Sequence, residues 1–199
     1  MERDFAPGIE CRIVYALIGL ICVAASAAIL ISLHFLPTGL NPIRYAVSDY
    51  GWTRYHLGYR TMVVLQGVGA ILIAVGLGQE TDANSLGWLY TYGAVRLLIS
   101  QFMTDREPES MRKLTRTGRI HLLLAGTAFA SIAVSASHID WTGKPAALGP
   151  LGWVVTATAI ATGTAIVIAP LRRAAFGLIE RTHYAAAITW LIVVAGSII

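Results

Sequence analysis

The side chains best able to do chemistry in this sequence stand at the borders of its apolar runs. Thr104-Asp105 closes one run, Gly118-Arg119-Ile120-His121 opens the next, and Glu180-Arg181-Thr182-His183 begins the last. Histidine beside carboxylate suits general acid–base work, because imidazole exchanges a proton near neutral pH; the same pair of residue types can also ligate a metal. If these borders share one membrane face, Asp49, Asp105, His121, Glu180, Arg181 and His183 can converge there. His121 is then the candidate acid or base, and Asp105 the carboxylate that would orient it. The competing reading is ordinary hydrogen bonding at the membrane interface. A metal centre is not expected, since no His-Glu-x-x-His or comparable ligand spacing occurs and His121 and His183 belong to different segments. His34 and His56 read as loop residues, and His138 falls on the opposite side.

Arg96 poses a different problem. It lies about halfway along an apolar run, where a charge costs from about 2.5 kcal/mol upward. The nearest carboxylate beyond it, Asp105, is nine residues on, or about 13 Å along a helix. Tyr92, Arg96 and Ser100 recur at spacing four and share a helix face. Gln66, midway along the preceding run, is the expected partner. Two roles compete: a buried arginine that locks helices together through Gln66 and carbonyls, or a group that binds or conducts a ligand.

Several classes are excluded. The net charge of +4 and pI near 9.3 do not mark a nucleic-acid surface, because the basic residues lie in short pieces between apolar runs. No phosphate loop, no Cys-x-x-Cys-His and no pair of intramembrane histidines for haem is present, so no cofactor is expected. Cys11 and Cys22 stand about 16 Å apart along a helix, too far for a disulfide within the chain.

The elements that must position these residues are membrane helices. The 199 residues are 56% hydrophobic and 13% charged, against roughly 25% charged in a soluble domain. A helix needs about 20 mainly apolar residues to cross the hydrocarbon, and six segments meet or approach this: 13–33, 59–77, 86–103, 120–137, 151–171 and 179–199. The expected fold is therefore an all-α bundle of six transmembrane helices forming one domain. A cleaved leader is the rival for the first run, with Ala25-Ser26-Ala27 as its cleavage site, but the residues before it are not basic and the run continues to Leu33. Of 15 Lys and Arg, 11 fall in or beside segments 34–58, 104–119 and 172–178. The positive-inside rule places those three in the cytoplasm and both termini outside. Gly126 with Ala130 and Ala159 with Gly163, at spacing four, read as helix-packing faces. Arginine outnumbers lysine 13 to 2 and alanine is abundant, which suggests a bacterial source.

The first cytoplasmic segment mixes turn formers with a short amphipathic stretch. Asn41 can cap a helical turn begun by Pro42; the segment either folds back over the mouth of the bundle as a lid or runs as an ordinary interfacial connector. Its Asn41-Pro42-Ile43 to Ser48-Asp49-Tyr50-Gly51 stretch resembles the first-loop signature of a bacterial and archaeal six-helix membrane family, domain of unknown function 998. Phe102-Met103-Thr104-Asp105, Gly118-Arg119-Ile120-His121, and Gly177-Leu178-Ile179-Glu180-Arg181 before Trp190 resemble its other landmarks. The similarity covers nearly the whole chain. One departure is Met103, where that family usually shows proline, which suggests a straighter helix end. The resemblance implies the six-helix fold, marks Asn41, Ser48, Tyr50, Asp105, His121 and Arg181, and carries no activity.

The leading functional expectation is a site at the cytoplasmic leaflet that binds or processes a lipid-like amphiphile or its headgroup. Its residues would be Arg96, Gln66, Asn41, Ser48, Tyr50, Glu180 and Arg181, and the arginine-rich loops suit anionic headgroups. A small-solute transporter or channel lined by Arg96 and Gln66, or an assembly partner, are the alternatives. The bilayer is the one expected partner, and the sequence carries no signal for an oligomeric state.

Overall fold

The computed structural model describes residues 7–78, 81–105, 114–139 and 144–199. Arg3, Arg106, Arg112 and Lys113, counted above in the charge pattern, lie outside these. The described elements are six α-helices and one short 3-10 turn: α1 Pro7–Phe35, the turn Val47–Trp52, α2 His56–Leu77, α3 Ala83–Ile99, α4 Arg116–His138, α5 Leu148–Val167 and α6 Ala169–Gly196. Five of the helices are long and apolar enough to cross a membrane, and the chain is a multi-pass integral membrane protein. The exception is α3, with 17 residues, about 25 Å of helix against a hydrocarbon core of about 30 Å.

Each helix packs on the next in sequence, and α6 closes back onto α1, so the six surround a shared interior. Hydrophobicity does not by itself draw helices together in lipid, which makes close backbone approach important. That approach occurs where Gly19 of α1 meets Gly69 of α2, where Gly67 of α2 meets Gly93 of α3, and where Gly152 of α5 meets the Ala136 carbonyl of α4; a Cβ on any of these would overlap its neighbour. Of the small residues singled out by sequence spacing, Ala159 is buried in the core and the other three behave differently. Gly126 and Gly163 have nothing within 4 Å of an added Cβ, and they face outward together with Ala130. Regular spacing of small residues shows a smooth helix face without showing which way the face points.

Three boundaries also depart from the apolar pattern. The stretch 172–178, expected as a loop, is helical: α6 begins at Ala169, immediately after a break at Ile168 (φ −82°, ψ 98°). Pro170 opens this helix, where its missing N–H costs nothing. At the other end of the chain, α1 starts at Pro7, well before residue 13. Finally, α3 stops at Ile99 and the chain turns at Ser100–Phe102, so a non-proline residue at 103 does not extend the helix. Met103 packs against Gly51 of the first loop instead.

Candidate functional site

Polar side chains gather at two levels of the bundle. The first lies inside the bundle, where Arg96, expected about halfway along its run, stands in the last turn of α3 because the helix stops at Ile99. Gln66 and Arg96 are 0% and 2% exposed, and the Arg96 guanidinium donates through Nη2 to Gln66 Oε1 on α2 and through Nη1 to the Tyr184 hydroxyl of α6, 2.7 Å away. It also lies 5.0 Å from the Tyr184 ring centroid, a cation–π distance. The expected Arg96–Gln66 contact is therefore present, and it ties α2, α3 and α6 together. Arg96 Nε and Gln66 Nε2 remain without a hydrogen-bond partner among the described residues. Tyr92 and Ser100, the rest of the polar stripe, are buried beside it.

The second level is the face that carries the first and third loops. Asn41 accepts the Ile43 amide on its side chain and the Arg44 and Tyr45 amides on its carbonyl, so it shapes a turn and reaches no ligand site. The segment that follows is strapped onto α6. Arg181 donates through Nη1 to the carbonyls of Pro42 (2.7 Å) and Tyr45 (2.7 Å), and through Nη2 to the Tyr50 hydroxyl (3.2 Å). Its Nε donates to His34 Nε2 at 2.6 Å. The Leu178 amide donates to the Ile43 carbonyl, and Glu180 Oε2 accepts the Val47 amide at 2.6 Å. Gly177 makes the contact possible, because any Cβ there would overlap the Tyr45 and Pro42 carbonyl oxygens.

Beneath this strap is a cavity of about 430 Å³. Its polar wall is made by Ser48 and Asp49 of the strap, Asp105, and His121 of α4 together with Glu180 of α6; Arg44, Arg172 and Arg173 add three guanidinium groups. Its apolar wall runs down α4 through Leu122, Ala125 and Phe129, and is completed by Ile166 of α5 and Phe176 of α6. From His121 to Phe129 the α4 wall descends eight residues, about 12 Å of helix.

Hydrogen bonding engages most of these groups: Arg44 Nε donates to the Arg173 carbonyl (3.2 Å) and Arg172 Nη1 to the Ile166 carbonyl (3.1 Å). Asp105 spends both carboxylate oxygens on Thr115, one on its amide (2.7 Å) and one on its hydroxyl (2.6 Å). Thr115 in turn caps α4 through the Gly118 amide, and a Cβ at Gly118 would overlap the Asp105 carboxylate. Asp105 thus builds the entrance to α4. The group that orients His121 is the Phe102 carbonyl, 2.8 Å from Nδ1. A carbonyl can only accept, so Nδ1 carries the proton and Nε2 presents a lone pair. Nε2 has no hydrogen-bond partner among the described residues.

Of the residues expected to converge, Asp49, Asp105, His121 and Glu180 line one cavity, and Ser48 of the expected binding set lines it with them. Arg181 and Tyr50 belong to the strap. His183 turns away into the bundle, edge-on to Phe129 at 4.8 Å and beside the Thr158 hydroxyl at 3.1 Å. Arg96 and Gln66 are not among the cavity's lining residues. Sequence reasoning missed Arg172, Arg173, Phe176 and Ile166 as lining residues. The two arginines count in the sequence as part of a basic loop suited to anionic headgroups, and only a helical 169–176 makes them face the cavity. The spacing of Leu122, Ala125 and Phe129 was a visible signal, since steps of three and four mark one helix face.

The chain belongs to the family described as "Protein of unknown function (DUF998)", whose model matches residues 20–197. No curated protein and no solved structure matches it.

Proposed function

We propose that this membrane protein binds an anionic, single-chain amphiphile by its headgroup in the strap-covered cavity, at the cytoplasmic leaflet. The observation that carries the reading is the division of one cavity into a polar end and an apolar wall. Guanidinium groups recognise phosphate and carboxylate by charge-assisted, often paired hydrogen bonds, and Arg44, Arg172 and Arg173 stand together at the polar end. Asp105 and Glu180 are held by Thr115 and Val47 and form no ion pair with these arginines among the described residues. The Leu122, Ala125 and Phe129 wall would take the first part of an alkyl chain. A cavity near the small end of ligand pockets fits a headgroup and part of one chain better than a whole diacyl lipid.

The leaflet follows from the basic loops, which the positive-inside rule puts in the cytoplasm. His121 Nε2 is the acceptor for a headgroup hydroxyl or acid proton. In a processing enzyme the same atom would take the proton that activates a nucleophile.

Binding of dodecyl phosphate to the protein in an uncharged detergent, measured by titration calorimetry, tests the reading. The double variant Arg172→Ala/Arg173→Ala should bind at least about tenfold more weakly, the scale of one hydrogen bond between charged groups. Dodecyltrimethylammonium should not bind. Equal binding of both amphiphiles, or an unchanged affinity in the double variant, contradicts it.

A further inference from the structure

The strap is held by a contact that depends on the charge state of one histidine. His34, near the end of α1, has its Nδ1 2.6 Å from the Leu30 carbonyl, so that nitrogen carries the proton. Its Nε2 lone pair then accepts from Arg181 Nε at 2.6 Å. The remaining donors of the same guanidinium hold Pro42, Tyr45 and Tyr50 of the strap. Arg181 is therefore oriented from one side by a neutral imidazole and spends its other side on the loop.

We propose that His34 and Arg181 form an acid-released latch on the strap. Protonation at Nε2 removes the acceptor and replaces it with an N–H directed at another N–H, with one positive charge against another. The contact that was attractive becomes repulsive, and Arg181 must leave or rotate. Rotation takes Nη1 off the Pro42 and Tyr45 carbonyls, since all these bonds radiate from one rigid planar group.

The groups around the imidazole do not rescue the protonated form. From α6 the facing group is Arg181 itself, and from the strap it is the Tyr50 ring, edge-on at 5.8 Å. The adjacent acid, Glu180, is engaged by the Val47 amide. On α2, which packs against this part of α1 at Gly58 and Leu33, no charged group bonds to His34 among the described residues. Histidine is the side chain whose charge changes across the physiological range, and an anionic leaflet raises the local proton concentration.

Release has a consequence at the cavity. Tyr45 and Asp49 form part of its wall and also line a second hollow of about 440 Å³, bounded by Thr38, Trp52 and Arg54. The strap is thus the partition between them, and unlatching it would open the covered cavity toward the loop side. This gating role rests on the amphiphile reading given above; the latch itself does not.

Hydrogen–deuterium exchange of the strap, corrected for the intrinsic pH dependence of exchange, tests the latch without any ligand. The protection of residues 43–50 should fall by about tenfold or more between about pH 8 and about pH 5. In His34→Gln, whose side-chain oxygen can still accept from Arg181 but gains no charge, protection should stay equal at both pH values. Arg181→Gln should show low protection at both. Unchanged protection in the wild type, or a His34→Gln profile that follows the wild type, overturns the proposal. Dodecyl phosphate binding measured at the same two pH values separates the two ideas. A strap that opens on schedule around a cavity that never binds would leave the latch standing and remove the amphiphile.

Discussion

The two polar levels of the bundle use similar residue types and reach opposite ends. Inside the bundle, Arg96 is enclosed, its guanidinium donating to Gln66 and Tyr184 and its side chain 2% exposed. At the loop face, arginines stand beside a cavity with an apolar wall, and His121 Nε2 has no hydrogen-bond partner among the described residues. The first arrangement is closed off by packed helices, even though Arg96 Nε and Gln66 Nε2 lack partners among the described residues; the second faces open space. Burial of a charge is therefore a poor guide to a ligand site here. What separates the levels is whether a polar group lines a cavity or is enclosed by packed helices.

That contrast can be broken most forcefully at Arg96. Arg96→Met leaves the Gln66 and Tyr184 polar atoms buried without their partner, at a cost of about 2 kcal/mol, or about 4–8 °C of melting temperature for a chain of this size. Most of the cost of placing a charge in the membrane is shared by the folded and the unpacked inserted states, so removing it gives little back. Thermal unfolding in detergent would read the loss, while dodecyl phosphate affinity should stay within about twofold, a change of less than half a kcal/mol. Adding Gln66→Leu should recover part of the lost stability, because two absent partners cost less than one orphan.

A smaller effect is expected at Gly177. Gly177→Ala forces a methyl group into the Tyr45 and Pro42 carbonyls, which costs about 1–2 kcal/mol. Because the strap yields before the helices do, exchange protection of residues 43–50 should fall further than the melting temperature. The smallest effect on stability belongs to His121→Gln. Glutamine can still donate to the Phe102 carbonyl, so the melting temperature should move by no more than about 2 °C, while amphiphile affinity falls severalfold. If His121→Gln instead unfolded the protein and Arg96→Met abolished binding, the assignment of roles to the two levels would be reversed.

Much of the fold was legible because its signals are local. Long apolar runs, interrupted by loops rich in arginine, locate the spans. Gln66 and Arg96 could be paired from their shared depth in neighbouring runs. The failures come from features that no local pattern records. Hydropathy carries the fifth run to residue 171 and leaves 172–178 as a polar gap, so it shows neither the break at Ile168 nor the start of α6 at Ala169. Arg181 sits beside the expected convergence point, yet its guanidinium is taken up by four carbonyl and hydroxyl groups and by His34. Asp105 and His121 were correctly brought to one cavity, but the carboxylate is held by Thr115 and the imidazole by a backbone carbonyl. Spacing brings residues near each other; the choice of hydrogen-bond partner is made by the tertiary fold.

The central claim, that the cavity-lining arginines and histidine hold an anionic amphiphile while the enclosed arginine holds the bundle, is tested most directly by native mass spectrometry of protein purified from its own membrane. The account predicts an anionic single-chain amphiphile retained by the wild type and by Arg96→Met, and depleted in Arg172→Ala/Arg173→Ala. No retained amphiphile in the wild type, or equal retention in both variants, would contradict it.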